Sequence, residues 1–215
     1  MTNSKLITAT KLSPNHSGQR TQPISRITPH CVVGHLSAEA TAGLFTSPAR
    51  QASCNYAIGD NHDICLVVDE ANRSWCSSSA ANDQRAVTIE VASDVNHPYA
   101  FSANAYEDLV KLCADICRRN GKTRVTWIPD RAQALAYSPA ADEMQFTVHR
   151  WFANKSCPGD WLMERMQDLT DRVNALLAPS KLYRVQVGAF RNKKNAEAYA
   201  EKIKAAGFDA FIVEV

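Results

Sequence analysis

Three groups able to hold a metal ion stand far apart in this chain. His149 and Cys157 share the segment His149-Arg150-Trp151-Phe152-Ala153-Asn154-Lys155-Ser156-Cys157-Pro158-Gly159, and a third donor is available from His30 in Ile27-Thr28-Pro29-His30-Cys31. Two imidazoles and one thiolate suit zinc, which takes nitrogen and sulfur donors tetrahedrally and keeps a fourth position for water when only three protein groups bind. Spacing this wide also admits a plainer reading, in which the histidines are satisfied core or surface residues and Cys157 is an inert buried thiol. A carboxylate joins the inventory in Val87-Thr88-Ile89-Glu90-Val91-Ala92. Alternation puts Val87, Ile89 and Val91 on one face of a strand and Glu90 on the other. In a central strand such a group is costly unless it is paired or faces a cleft; on an edge strand it sits in water, and the pattern leaves both open.

The elements that must position these groups are short and mixed. Strand-like runs at Ile27 to Val33, Tyr56 to Gly59, Ile64 to Val68, Val87 to Ala92 and Thr123 to Trp127 are interleaved with helix-like stretches, so the expected fold is α/β, a mixed central sheet flanked by helices. One helix is expected from about Ala103 to Asn120, with Tyr106, Leu109, Val110, Cys113, Ile116 and Cys117 on a buried face and Gly121 ending it. A second is expected from Asp160 to Leu177 on the stripe Leu162, Met166, Leu169, Val173 and Leu176. Ala178-Pro179-Ser180 breaks that pattern. The expected division is an extended lead-in over 1–23, a main domain over 24–177, a linker over 178–182 and a small module over 183–215.

Composition bounds the class. The 215 residues are 45% hydrophobic and 21% charged, the mix of a globular chain. A net charge of +2 is compatible with an anionic partner, selects none, and is too small to argue for nucleic acid. The segment from Met1 to Leu12 has no unbroken apolar run of the kind a secretory signal or a membrane span needs, so the expectation is a protein made in the cytoplasm and not inserted in a membrane. Seven cysteines without an export signal are expected as thiols, core packers or metal ligands. Cys113 and Cys117, one helical turn apart among apolar neighbours, read as core.

Taken together, His30, Glu90, His149, Lys155 and Cys157, with Asn55-Tyr56-Ala57-Ile58-Gly59 and Val68-Asp69-Glu70-Ala71-Asn72-Arg73-Ser74-Trp75, resemble the amidase-2 family of phage endolysins, bacterial autolysins and peptidoglycan-recognition proteins. The resemblance covers residues 24 to 177. It implies that His30, His149 and Cys157 bind Zn2+, that Glu90 is the catalytic carboxylate, and that Lys155 faces the scissile carbonyl. Some members use a tyrosine at the position of Cys54, so here the work falls on Glu90, and Tyr56 is expected to pack. Asn55 and Trp75 are expected at the substrate, although an ordinary half-buried tryptophan explains Trp75 equally well.

Tyr183-Arg184-Val185-Gln186-Val187-Gly188-Ala189-Phe190, an Ala-rich helix capped by Asn192, and Gly207-Phe208 resemble half of a SPOR domain, a module that binds peptidoglycan glycan. The expectation is a strand-helix-strand unit with Gln186 and Phe190 toward glycan, too small to bury a core alone and so paired with a second copy in a homodimer, or packed as a tail on the domain. Lys193, Lys194, Lys202 and Lys204 read as a solvated face. The whole resembles an N-acetylmuramoyl-L-alanine amidase whose partner is bacterial peptidoglycan, reaching the wall after release as a phage endolysin or an autolysin. The rival expectations are a non-catalytic peptidoglycan-binding protein and a cytoplasmic amidase that recycles muropeptides.

Overall fold

A computed structural model describes residues 2–179 and 185–214. The end of the expected linker, the start of the expected strand at Tyr183 and Arg184, and Val215 lie outside them. Two compact units are present, Met1–Ala178 and Pro179–Val215.

The first unit is built on a seven-stranded mixed sheet. Across it run β1 (Ala9–Thr10), β5 (Ile64–Leu66), β4 (Tyr56–Ile58), β7 (Ala86–Val91), β3 (Arg26–Cys31), β9 (Glu143–Phe146) and β8 (Arg124–Thr126). Only the β4–β5 pair is antiparallel. A separate antiparallel pair joins β2 (His16–Gln19) to β6 (Asn72–Ser74). Pro29 is unusual inside a central strand because it has no N–H to give. It is tolerated because β9 pairs with β3 only at Arg26 and Ile27, so the flank beside Pro29 has no ladder to supply.

Alternation sorts the two faces of the sheet. Ile27, Tyr56, Ile58, Val87, Ile89 and Val91 join the main core, under α3 (Ala103–Arg119) and α6 (Met166–Leu177). Ser102 caps α3 by accepting from the Ala105 N–H, and Gly121, at φ 66°, closes its far end where a side chain would be strained. The opposite face carries a smaller core of Ala38, Ala42, Phe45, Cys54, Ala57, Cys65 and Val67 beneath α1 (Ala38–Gly43). Next to it lies a polar strip containing Thr28, His30, Thr88 and Glu90.

After α4 (Arg131–Ala136), the helix expected over Asp160 to Leu177 is two helices, α5 (Asp160–Met163) and α6. Arg165 stands at the break, its guanidinium 4.3 Å from the Trp161 ring centroid and donating to the Trp161 carbonyl, a contact that holds the chain in a turn. The first residues, expected as a lead-in, are woven into the fold. β1 edges the sheet, Asn15 donates to the Phe45 and Ser47 carbonyls, and the Ser4 N–H donates to the Tyr56 hydroxyl. Tyr56 packs as expected and also donates to Glu70, a fully buried carboxylate held by two nitrogens of Arg119.

In the second unit the expected helix is present as α7 (Lys193–Ala205), capped by Asn192. The described residues on either side, 185–190 and 208–214, form no strand. Extended segments become strands only with a ladder partner, and the described residues offer them none. Among the described residues no helix is long and apolar enough to cross a membrane.

Candidate metal centre

The parallel register of β3 and β7 sets His30 opposite Glu90 on the polar face. Glu90 therefore lies in the middle of the sheet, not at an edge, with 14% of its side chain exposed. Its strand is central, and on that side the carboxyl group faces a cleft. His149 opens a short 3₁₀ turn (His149–Trp151) just after β9, and Cys157 follows in the next loop. That loop is folded back by the Arg150 N–H donating to the Cys157 carbonyl and by Arg150 pairing with Asp160. Gly159 completes it at φ 90°, where a Cβ would come within 2.6 Å of the Pro98 carbonyl oxygen, so only glycine fits.

The donor atoms of His30, His149 and Cys157 all lie within 4.8 Å of one another. Cys157 Sγ lies 3.3 Å from His30 Nδ1, so the sulfur and the ring nitrogen face each other as two ligands of one cation would. The His30 and His149 ring centroids are 4.9 Å apart, and Ser78 Oγ is 3.0 Å from His149 Nε2. Burial, helped by His149, holds the His30 pKa well below the usual imidazole value, and burial followed by the Lys155 charge lowers that of His149. Both rings are thereby kept neutral, the form that ligates metal. The Cys157 pKa is pushed up by its hydrogen bond with Cys31 and then by burial.

Glu90 Oε1 lies 4.0 Å from His30 Nδ1 and accepts from the Cys76 thiol at 3.8 Å, while its Oε2 is buried without a hydrogen-bond partner. Burial raises its pKa to about 8, against the pull of the Cys76 hydrogen bond; a cation held by the neighbouring donors works in the opposite direction. The cleft over these groups has a volume of about 690 Å³ and is lined also by Trp75, Arg73, Lys155 and Ser156.

Of the residues singled out from sequence, His30, Glu90, His149, Lys155, Cys157 and Trp75 all reach this cleft. Asn55 does not, and its expected place at the substrate is corrected. It is fully buried, donating to the Val68 and Asp69 carbonyls and accepting from the Thr88 N–H and Arg20. A side chain so saturated has nothing left for a ligand. Gln186 and Phe190 are exposed in the second unit, Phe190 against the Tyr199 ring. Sequence reasoning missed Cys76 and Ser78, which belong to a loop organised by Asp83: its carboxylate accepts from the N–H groups of Cys76 and Ser77 and from the Ser77 hydroxyl. Ser79 capping α2 (Ala80–Asp83) was the available signal.

Residues 20–160 match the Amidase_2 family, described as N-acetylmuramoyl-L-alanine amidase, and residues 179–215 match the SPOR domain. No curated protein matches the chain. Among solved structures the fold resembles PlyL (14% identity, 77% of this chain and 95% of that one, TM-score 0.54). It also resembles a mutant endolysin from Bacillus subtilis (16%, 78% and 99%, TM-score 0.55). A third likeness is to the Staphylococcus aureus hydrolase AmiA in complex with its ligand (13%, 82% and 85%, TM-score 0.55).

Proposed function

Because this chain belongs to the N-acetylmuramoyl-L-alanine amidase family, we propose that it hydrolyses the amide between N-acetylmuramic acid and L-alanine of peptidoglycan, with zinc held by His30, His149 and Cys157. The observation that carries this reading is the convergence of two neutral imidazoles and a thiol beside one carboxyl group at the floor of an open cleft. The donor set fits: nitrogen and sulfur atoms are turned toward one another and leave room for a further ligand. When bound, the ion supplies Lewis acidity toward a carbonyl oxygen and makes a water acidic near neutral pH.

The remaining roles belong to this chain's own side chains. Glu90 takes a proton from the attacking water at its carboxylate and returns it to the departing alanine nitrogen. Cys76 and the rigid strand hold that carboxylate at a fixed angle. Lys155, exposed at the rim, brings a positive charge to the side where the carbonyl oxygen gains negative charge. Trp75 offers a ring to the sugar or the stem peptide, anchored by its indole N–H donating to Ser17.

The second unit, matched to the SPOR domain, binds peptidoglycan glycan in this reading, with Gln186 and Phe190 among its contacts. Its exposed Val185, Val187, Phe208 and Phe211 support pairing of two copies through it, which a strict monomer in sedimentation would rule out. The biological setting we propose is endolysin-type, with the protein made in the bacterial cytoplasm and acting on the wall after release. The deciding experiment is digestion of purified peptidoglycan with and without chelator. New N-terminal alanine that disappears with chelator is expected, and new reducing sugar ends in its place would overturn the assignment.

A further inference from the structure

A second cleft, of about 440 Å³, opens beside the first, and Ser79 lines both. It lies at the other end of β3. Residues 26, 28 and 30 share a face of that strand, so Arg26 looks out on the same side of the sheet as His30. α2 sits between the two ends: Asn82 donates to Thr28 and accepts from Thr147 and Arg26. Arg85 lines the second cleft beside Arg26, with Leu135, Pro139 and Phe152 forming an apolar side.

Among the described residues neither guanidinium has a carboxylate partner. Arg26 reaches Asn82 Oδ1 at 3.3 Å and Arg85 reaches Gln22 Oε1 at 3.3 Å. Arg26 Nε and Ser25 Oγ are buried with no hydrogen-bond partner at all. Burial and the neighbouring Arg85 charge depress the Arg26 pKa, so the positive charge on Arg26 is destabilised by its setting. Unmet buried donors and unneutralised charge are both costs that a bound anion removes, and the guanidinium fork matches a carboxylate bidentately.

We propose that this cleft binds the terminal carboxylate of the substrate's stem peptide and so favours stems that end there in a free acid. Four strand residues separate Arg26 from His30, about 13 Å at 3.3 Å per residue. An extended peptide of about four residues spans the same length. A stem held with its first amide beside His30 would reach Arg26 by passing Ser79, which lines both clefts, around the α2 residue Asn82 that covers Thr28. The inference rests on the amidase reading for the identity of the ligand.

The test uses the full zinc-loaded chain, calorimetry, and two probes: the free tetrapeptide L-Ala-γ-D-Glu-L-Lys-D-Ala and its C-terminal amide. The acid is expected to bind about 10- to 100-fold more tightly, the range for a charge-assisted hydrogen bond. R26Q and R85Q are each expected to reduce that preference below about 3-fold. Arg85 is exposed, so R85Q keeps the test decisive if R26Q does not fold. Equal binding of acid and amide by the unmodified protein, or a preference that survives R85Q, overturns the proposal. So does inorganic phosphate binding that depends on Arg26 while the peptide acid fails to bind. A parallel assay on the N-acetylmuramoyl forms of both peptides separates the two readings: no cleavage of either would count against the amidase, while the binding comparison would still decide the cleft.

Discussion

Replacing Glu90 by glutamine separates what this carboxyl does for chemistry from what it costs the fold. Burial lifts its pKa from an ordinary 4.5 to about 8. The gap makes the ionised form about 5 kcal/mol less stable in the folded protein than in the unfolded chain. At pH 7 the folded protein avoids part of that by keeping the proton, which leaves a cost of about 3 kcal/mol. The folded state binds more protons than the unfolded one between the two pKa values, so stability falls as pH rises from about 4.5 toward 8. Below about pH 4 both states are protonated and the cost vanishes. Glutamine keeps the shape and does not titrate. Relative to its own value at pH 4, chelator-treated E90Q should therefore gain about 3 kcal/mol over the wild type by pH 7, roughly 6–12 °C in Tm for a domain of this size. In zinc-saturated protein the same substitution should lower amidase turnover about 10²- to 10⁴-fold with the metal still bound. Urea titrations across that pH range, paired with turnover and metal analysis, make the measurement. Stability curves that stay parallel would refute the buried-carboxyl argument, and undiminished turnover would remove Glu90 from the chemistry.

Cys157→Ala should lower zinc affinity by at least about 100-fold, more than loss of an outer hydrogen-bond partner does, with the far-ultraviolet circular dichroism unchanged; stoichiometric zinc in the dialysed variant would count against the ligand set. Glu70→Ala strands Arg119 and the Tyr56 hydroxyl, and should cost about 3–5 kcal/mol in chemical denaturation, whereas a loss below about 1 kcal/mol would mean that solvent replaces the pair. Asn55→Ala should cost about 1–3 kcal/mol of stability with KM for wall fragments unchanged; a raised KM at full stability would return Asn55 to the substrate. Hydrogen bonds to Asp60 and Asp94 raise the His35 pKa above 6.5, so its contribution is complete below that pH and fades as pH rises through the folded value. An NMR midpoint for the His35 ring at or below 6.5 would contradict that arrangement.

What the sequence disclosed follows from range. The period of α3 and the alternation of β7 are local, and both elements lie within a residue or two of where the pattern puts them. The polar strip is the by-product of the same alternation, which is why Glu90 stood out. β9 was hidden because its polar residues are buried with partners that only the fold supplies: Gln145 donates to the Ala134 carbonyl, and Glu143 accepts from Tyr137. Cys76 was equally hidden, since its approach to Glu90 depends on how Asp83 winds a loop. Asn55 was misjudged for a related reason. A polar residue beside a strand looks available until its four capacities are seen to be spent on Arg20, Thr88, Val68 and Asp69.

The two rims of the large sheet are β1 and β8, two and three residues long. Rims this brief give another polypeptide almost nothing to zip onto, which protects a chain whose next strands inward, β5 and β4, are wholly buried. A shortened version cut back to residue 20, where the family match begins, would strip away Ala9–Thr10 and lay the Ile64–Leu66 backbone open. Such a trimmed enzyme would keep every reactive group and yet become sticky, because its opening stretch serves as a guard rail against self-association.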